Sequence, residues 1–237
     1  MARTAAAAVR DVRRDAFVDA AMRLIQLKGY EQTTVQDVLD ELDASRGAFY
    51  HYFDSKGALL DAVGERMVDA VIAEVEPAVD APGLDAPTRL ETLFNGIARW
   101  KGERTEFLLQ LLRTWMDDDN ALTRDKFRRG LVPRLVPLFQ RIIEQGNAEG
   151  TFDAGDPAGT AHVLVSYVQG LNDKATELFF RRQAGTVTFD EVERIFGAYL
   201  AAFERILGVA PGSLSLVDPA VLRYWFDSPI PLTQEVS

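Results

Sequence analysis

Along almost every long segment of this chain the apolar residues return at intervals of three and four, and no stretch of alternation is long enough for a strand. That periodicity predicts an all-α protein. Phe17, Ala20, Ala21, Leu24 and Ile25 share one helical face, and Lys28 then Gly29 give the basic last turn and glycine stop of a helix end. "TTVQDVLDEL" opens with Thr34 and Asp37 in capping-box spacing, which starts a second, shorter helix. Ser45 is a natural N-cap for a third and Ser55 for a fourth, whose stripe of Leu60, Val63, Met67 and Val71 runs to about Glu76.

Three prolines and a glycine in "EPAVDAPGLDAPTRLE" break the pattern. Beyond them Thr88 and Glu91 have capping-box spacing for a helix through about Trp100. Phe107, Leu108, Leu111, Leu112, Trp115 and Met116 form the next stripe. Leu131, Leu135, Leu138, Phe139, Ile142 and Ile143 form another, with Pro133 and Pro137 placed near its start. After the loop "EGTFDAGDP" a helix is predicted from about Asp156 to Arg182, and Thr188 with Glu191 caps a last strong one through Leu207. The tail beyond Gly208 is rich in proline and serine, and its "AVLRYWF" is long enough for a short docked helix.

Composition narrows the function. The chain has 237 residues, no cysteine and a formal net charge of −10. Without cysteine it can form no disulfide and no thiolate metal site, which fits a reducing cytoplasm. No window of 18 apolar residues reads as a membrane span, and "MARTAAAAVRDVRR" lacks the apolar length of a signal peptide. An acidic chain argues against a nucleic-acid partner until the charge is divided. Residues 1–30 carry six basic against three acidic groups, residues 31–57 two against six, and residues 58–237 eighteen against twenty-seven. Within residues 44–57 only Asp54 opposes Arg46 and Lys56, so "SRGAFYHYFDSK" is locally cationic.

Three short helices with a four-residue turn between the second and third make a helix-turn-helix, whose later helix lies in the major groove. Val38 and Leu42 can pack against Phe49 and Leu24 and set the angle between helices. Five rings stand in a row, Phe49, Tyr50, His51, Tyr52 and Phe53, and at roughly 100° per residue they cannot all face one core. Phe49, Phe53 and Tyr52 are assigned inward; Arg46, Tyr50 and His51 are left outward.

"TTVQDVLDELDASRGAFYHYFDSKGALL" resembles the N-terminal signature of the tetracycline-repressor-like (TetR) family of transcriptional regulators, over roughly residues 10–60. The helical remainder, with "IIEQGNAEGTFDAGDP" and the glycine of "YVQGL", is similar to that family's divergent ligand-binding and dimerisation domain. The resemblance implies a DNA-binding domain over residues 1–57, a helical effector-binding and dimerisation domain over 58–210 and a tail over 211–237. It implies phosphate contacts from Thr34, Tyr50, His51 and Lys56, and a groove-facing start to the third helix at Ser45, Arg46, Gly47 and Ala48. Each role has a physical reason. Helix N-termini offer free N–H groups to anions, hydroxyl and ammonium groups bond phosphate, Gly47 admits close approach, and Arg46 can fork onto guanine or bond a phosphate. Two positions depart from the family pattern: Asp43 stands where a turn glycine is usual, and Ala48 where a threonine is common.

The implied function is a homodimeric, ligand-responsive regulator, expected to repress, binding a pseudo-palindromic operator in double-stranded DNA and released by a largely apolar or aromatic small molecule. Trp100, Arg113, Trp115, Tyr167 and Asn172 combine bulk with polar handles and are the effector candidates. The alternative is a dimeric helical ligand-binding or interaction protein without DNA affinity, which the acidic charge favours. Arg10, Arg13 and Arg14 are open to two readings, a basic arm or a solvated terminus balanced by Asp11 and Asp15. Catalysis has no motif behind it, and neither a metal nor a cofactor is expected: "DDD" at 117–119 has no histidine beside it, and His162 stands alone.

Overall fold

The computed structural model describes residues 2–116 and 121–227. Among these there are helices and no strand: α1 (Ala2–Lys28), α2 (Val35–Leu42), α3 (Arg46–Tyr52), α4 (Lys56–Val79), α5 (Ala86–Gly102), α6 (Thr105–Met116), α7 (Ala121–Glu149), α8 (Pro157–Gln183), α9 (Phe189–Leu207) and α10 (Pro219–Phe226). They divide into two compact units, Met1–Ile72 with Trp100–Leu131, and Ala73–Arg99 with Val132–Ser237.

The first unit closes over the apolar face of α1. Phe17, Val18, Ala20, Ala21 and Ile25 are buried against Val38 and Leu39 of α2, Phe49 of α3, Leu59, Leu60 and Val63 of α4, and Phe107 and Leu111 of α6. Burying each of the Val, Leu, Ile and Phe side chains among these contributes roughly 1.5–3 kcal/mol before the cost of ordering it. Charge fastens α1 to α4 as well: Arg66 donates to Asp15 at 2.5 Å and Asp19 at 2.9 Å, and Arg14 pairs with Glu65 at 3.5 Å. Arg14 also lies over the Phe53 ring at 5.4 Å, Arg13 is exposed, and the Arg10 side chain lies outside the described residues.

The second unit is built on α8 and α9, which pack along each other. The Phe94, Phe139 and Phe203 rings meet edge to face at 5.6–6.4 Å. The loop after α7 folds back on Gly146, where an added Cβ would lie 2.1 Å from the Phe152 ring, so only glycine admits that ring. Beyond α9 the buried Glu204 carboxylate, 5% exposed, accepts from the amides of Gly212 and Leu214 at 2.9 and 3.1 Å. That tether brings α10 back onto α8 and α9, with Phe226 against Phe179 and Phe196 and Asp227 paired to Arg182 at 3.1 Å.

Two local expectations are corrected. Thr88 does not cap α5: the helix begins at Ala86, Asp85 accepts from the Thr88 amide at 2.9 Å, and Glu91 accepts instead from the Ser215 amide at 2.7 Å. A proline in the first turn loses no helical bond, so α5 can start before Pro87. The helix expected from about Leu131 starts at Ala121 and runs through Pro133 and Pro137. Both prolines are exposed, so the missing bonds fall on one solvent-facing stripe, where water can serve the carbonyls.

Candidate nucleic-acid interface

The interface is set by how α2 begins and ends. Thr34 is its N-cap in extended backbone, accepting from the Asp37 amide at 3.1 Å while Asp37 accepts from the Thr34 amide at 2.7 Å, a reciprocal capping box. The Lys28 ammonium lies 2.7 Å from the same carboxylate. Lys28, then the Thr34 hydroxyl and amide, hold the Asp37 carboxyl well below the usual carboxylate range. At the other end Asp43 adopts φ 47° and ψ 47°, the only positive φ outside glycine among the described residues. Its amide donates to Asp40 and that of Ala44 to Leu39, which closes a Schellman turn. Aspartate fills the place of the usual glycine because its short polar side chain tolerates the left-handed region.

The turn delivers Ser45, whose hydroxyl accepts from the Ala48 amide at 3.2 Å and caps α3. The row of rings then divides. Phe49 is 0% exposed and meets Phe17 edge to face at 5.8 Å; Phe53 is buried and Tyr52 half-buried against the same ring. Tyr50 is 57% exposed and His51 is exposed, each braced edge-on by its inward neighbour at 5.3 and 4.9 Å. Arg46 and Gly47 share the outward side, while Ala48 is half-buried against the core. An extra Cβ on Gly47 would meet nothing nearer than Ser45 Oγ at 3.9 Å, so no internal contact requires the glycine.

Lys56, the first residue of α4, lies half-buried with its ammonium 4.0 Å over the Tyr30 ring and 3.4 Å from the Glu31 carbonyl. Burial pulls its pKa down, partly opposed by Glu31 and Asp37. A cation at a helix N-terminus is disfavoured by the dipole, and the ring and carbonyl offset that. Thr34, Gln36, Arg46, Gly47, Tyr50 and His51 are exposed positions of α2, its cap and α3. Sequence reasoning missed Tyr30 and Gln36. Tyr30 stands just past a glycine stop, where no helical register predicts its direction. Gln36 was legible as the second residue after a capped threonine, hence on the first turn of α2.

The effector candidates belong to α5, α6 and α8. Trp100 is in the first unit, 5% exposed, with no hydrogen-bond partner for its indole Nε1 among the described residues and the Arg104 guanidinium 4.7 Å over its ring. Tyr167 and Asn172 are on α8 in the second unit; Tyr167 donates to the Tyr199 carbonyl at 2.9 Å, burial raises its pKa, and Asn172 is exposed. The side chains of Arg113 and Trp115, and the run at 117–119, lie outside the described residues. Among those described no group of three His, Cys, Asp or Glu could hold a metal, and His162 is exposed on α8.

Comparison with known proteins bears on this geometry. The profile of the bacterial regulatory proteins, tetR family, matches residues 17–63, from the first core ring of α1 into α4. The HTH-type transcriptional repressor KstR2 of Rhodococcus jostii (strain RHA1) is 35% identical over 194 residues, covering 77% of this chain and 86% of that protein. The chain belongs to the TetR family. The HTH-type transcriptional repressor ComR of Escherichia coli (strain K12) is 32% identical over 170 residues, 69% of this chain and 80% of its own. A transcriptional regulator from Cytophaga hutchinsonii shares the fold, with a TM-score of 0.51 at 20% identity over 68% of this chain and 80% of that one. TetR-family proteins are DNA-binding transcriptional regulators, not enzymes, and α2 with α3 is the helix-turn-helix.

Proposed function

We propose that this TetR-family chain is a ligand-responsive repressor that binds a pseudo-palindromic operator as a homodimer and leaves it when a small molecule binds. The observation that carries the reading is the outward face of α3. Arg46, Gly47, Tyr50 and His51 are exposed on a helix whose other rings, buried Phe49 and half-buried Tyr52, pack inward, and Gly47 has no packing reason to be glycine. Thr34, Tyr50, His51 and Lys56 contact phosphates, and Ser45, Arg46, Gly47 and Ala48 enter the major groove. Two relatives are named as repressors, which supports repression over activation.

Residues 1–57 read DNA, residues 58–210 bind effector and dimerise, and residues 211–237 are a C-terminal tail. Copies of α8 and α9 pair about a two-fold axis and set the recognition helices about one turn of DNA apart, roughly 34–36 Å. The effector is largely apolar or aromatic, as pockets of drug-sized ligands usually are, and Trp100, Arg113, Trp115, Tyr167 and Asn172 are its candidate contacts. It displaces DNA only as far as it binds the two conformations differently. A cysteine-free chain, in which no described helix is long and apolar enough to cross a membrane, fits work in the cytoplasm.

Selection of bound sequences from a random duplex pool tests this. The expected result is a symmetric motif with half-sites one turn apart, bound less tightly as salt rises. Failure to enrich any sequence at low salt would reject the repressor reading in favour of a dimeric interaction protein.

A further inference from the structure

Arg46 does not hang free of the fold. Its Nη2 donates to Oε1 of Gln36 at 3.3 Å, and Gln36 Nε2 donates in turn to Asp40 Oδ1 at 2.7 Å. This relay fixes which way the amide points. A carboxylate only accepts, so the nitrogen of Gln36 must face Asp40 and its carbonyl must face the guanidinium. Gln36 and Asp40 stand one turn apart on α2, whose first turn is pinned by the Thr34 and Asp37 capping box. The carbonyl is thus presented from a capped helix.

Guanidinium geometry makes this useful. Gln36 occupies one N–H of Arg46, and the others remain to fork onto guanine O6 and N7. An unrestrained arginine would lose rotamer freedom on reading a base, and a partner that already narrows its conformations removes part of that loss. Being neutral, the glutamine does so without cancelling the charge that guanine and phosphate attract.

We propose that Gln36 is a positioning residue for base readout, its carbonyl steering the Arg46 guanidinium and Asp40 holding the amide in register. The inference rests on Arg46 being a groove contact, as argued above, and its test separates the two ideas. Selection from a random duplex pool would be run on the full-length wild type, Arg46→Ala, Gln36→Met and the double variant. Methionine keeps the length of glutamine and removes both hydrogen bonds; the site is exposed, so the fold tolerates it.

Arg46→Ala should lower discrimination at one base pair of each half-site by about tenfold or more, the scale of a lost bidentate contact. Gln36→Met should lower it at that same base pair by about three- to tenfold, leaving the rest of the motif unchanged. The double variant should be no more relaxed than Arg46→Ala alone, because a positioning residue has nothing to position once its target is gone. Gln36→Glu, which keeps the acceptor but adds a charge that competes with guanine for Arg46, should also relax that base pair. Full discrimination in Gln36→Met beside a relaxed Arg46→Ala would overturn the inference and leave the groove contact standing. Additive losses, or a change at a different base pair, would overturn it by making Gln36 a reader in its own right. An Arg46→Ala variant that selects like the wild type would reject both.

Discussion

Gly47 costs the fold something. A glycine inside a helix is worth about 0.5–1 kcal/mol less than alanine, and here no neighbour within 3.9 Å of its missing Cβ demands it. On the function proposed above, the glycine serves a DNA surface that approaches the backbone closely. Gly47→Ala should raise stability by about 0.5–1 kcal/mol in a denaturant melt while weakening duplex binding severalfold. If stability rises and binding is untouched, the close-approach role is rejected. Asp43 is the mirror case, a residue strained for the fold alone: Asp43→Gly should stabilise by about 0.5–1 kcal/mol with half-site preference unchanged. Phe49→Ala, which empties the centre of the three-helix core, should cost about 3–5 kcal/mol and abolish binding through unfolding.

At the scale of elements, what could be read from sequence depended on how local the deciding contact was. The Thr34 and Asp37 box has both partners within one turn, and the structure contains it as the spacing implied. Thr88 and Glu91 have the same spacing and fail, because Glu91 is taken by Ser215, 124 positions away, and Asp85 reaches the Thr88 amide first. The split of the five rings was legible because helical geometry fixes it once Ser45 is placed as cap. The continuity of α7 through two prolines was not, since nothing in the string tells which side faces solvent. Tyr30 belongs with these: its stacking under Lys56 joins the loop after α1 to the first residue of α4. Tyr30→Leu keeps an apolar side chain in the core while removing the ring under Lys56, and should weaken operator binding by a few-fold, read by titration beside a thermal melt that reports any loss of packing.

The α2 cap also carries a pH signature. Lys28, then the Thr34 hydroxyl and amide, hold the Asp37 carboxyl below the ordinary range, so its contribution is complete above the unfolded-chain value of about 4 and fades as pH falls below it. Wild type and Asp37→Ala should therefore differ in melting temperature at pH 7, and the gap should narrow steadily from about pH 4 down to about pH 2, as pH falls toward the depressed native value. A gap that stays constant across that range would mean the carboxylate is not what the alanine removes.

For the whole molecule the problem is charge. A chain of −10 must approach a polyanion, and this one does so by segregation: residues 1–30 carry a surplus of three basic groups, while the eighteen basic and twenty-seven acidic groups of residues 58–237 hold most of the negative balance. Attraction then depends on a few cations near the reading helix, against a repulsive field that salt screens over about 10 Å at 0.1 M. Each phosphate neutralised releases counterions and contributes about −0.9 to the slope of log affinity against log salt. If Lys56 holds one phosphate per protomer of a dimer, as proposed, Lys56→Ala should make the slope shallower by about 2 and lower affinity on every sequence alike. Tyr50→Phe removes a neutral hydroxyl donor instead, and should weaken binding with the slope unchanged. The pair of slopes discriminates: if Lys56→Ala leaves the slope where it was, the ammonium over Tyr30 serves only the fold, and the phosphate contact must be sought elsewhere on α2 and α3.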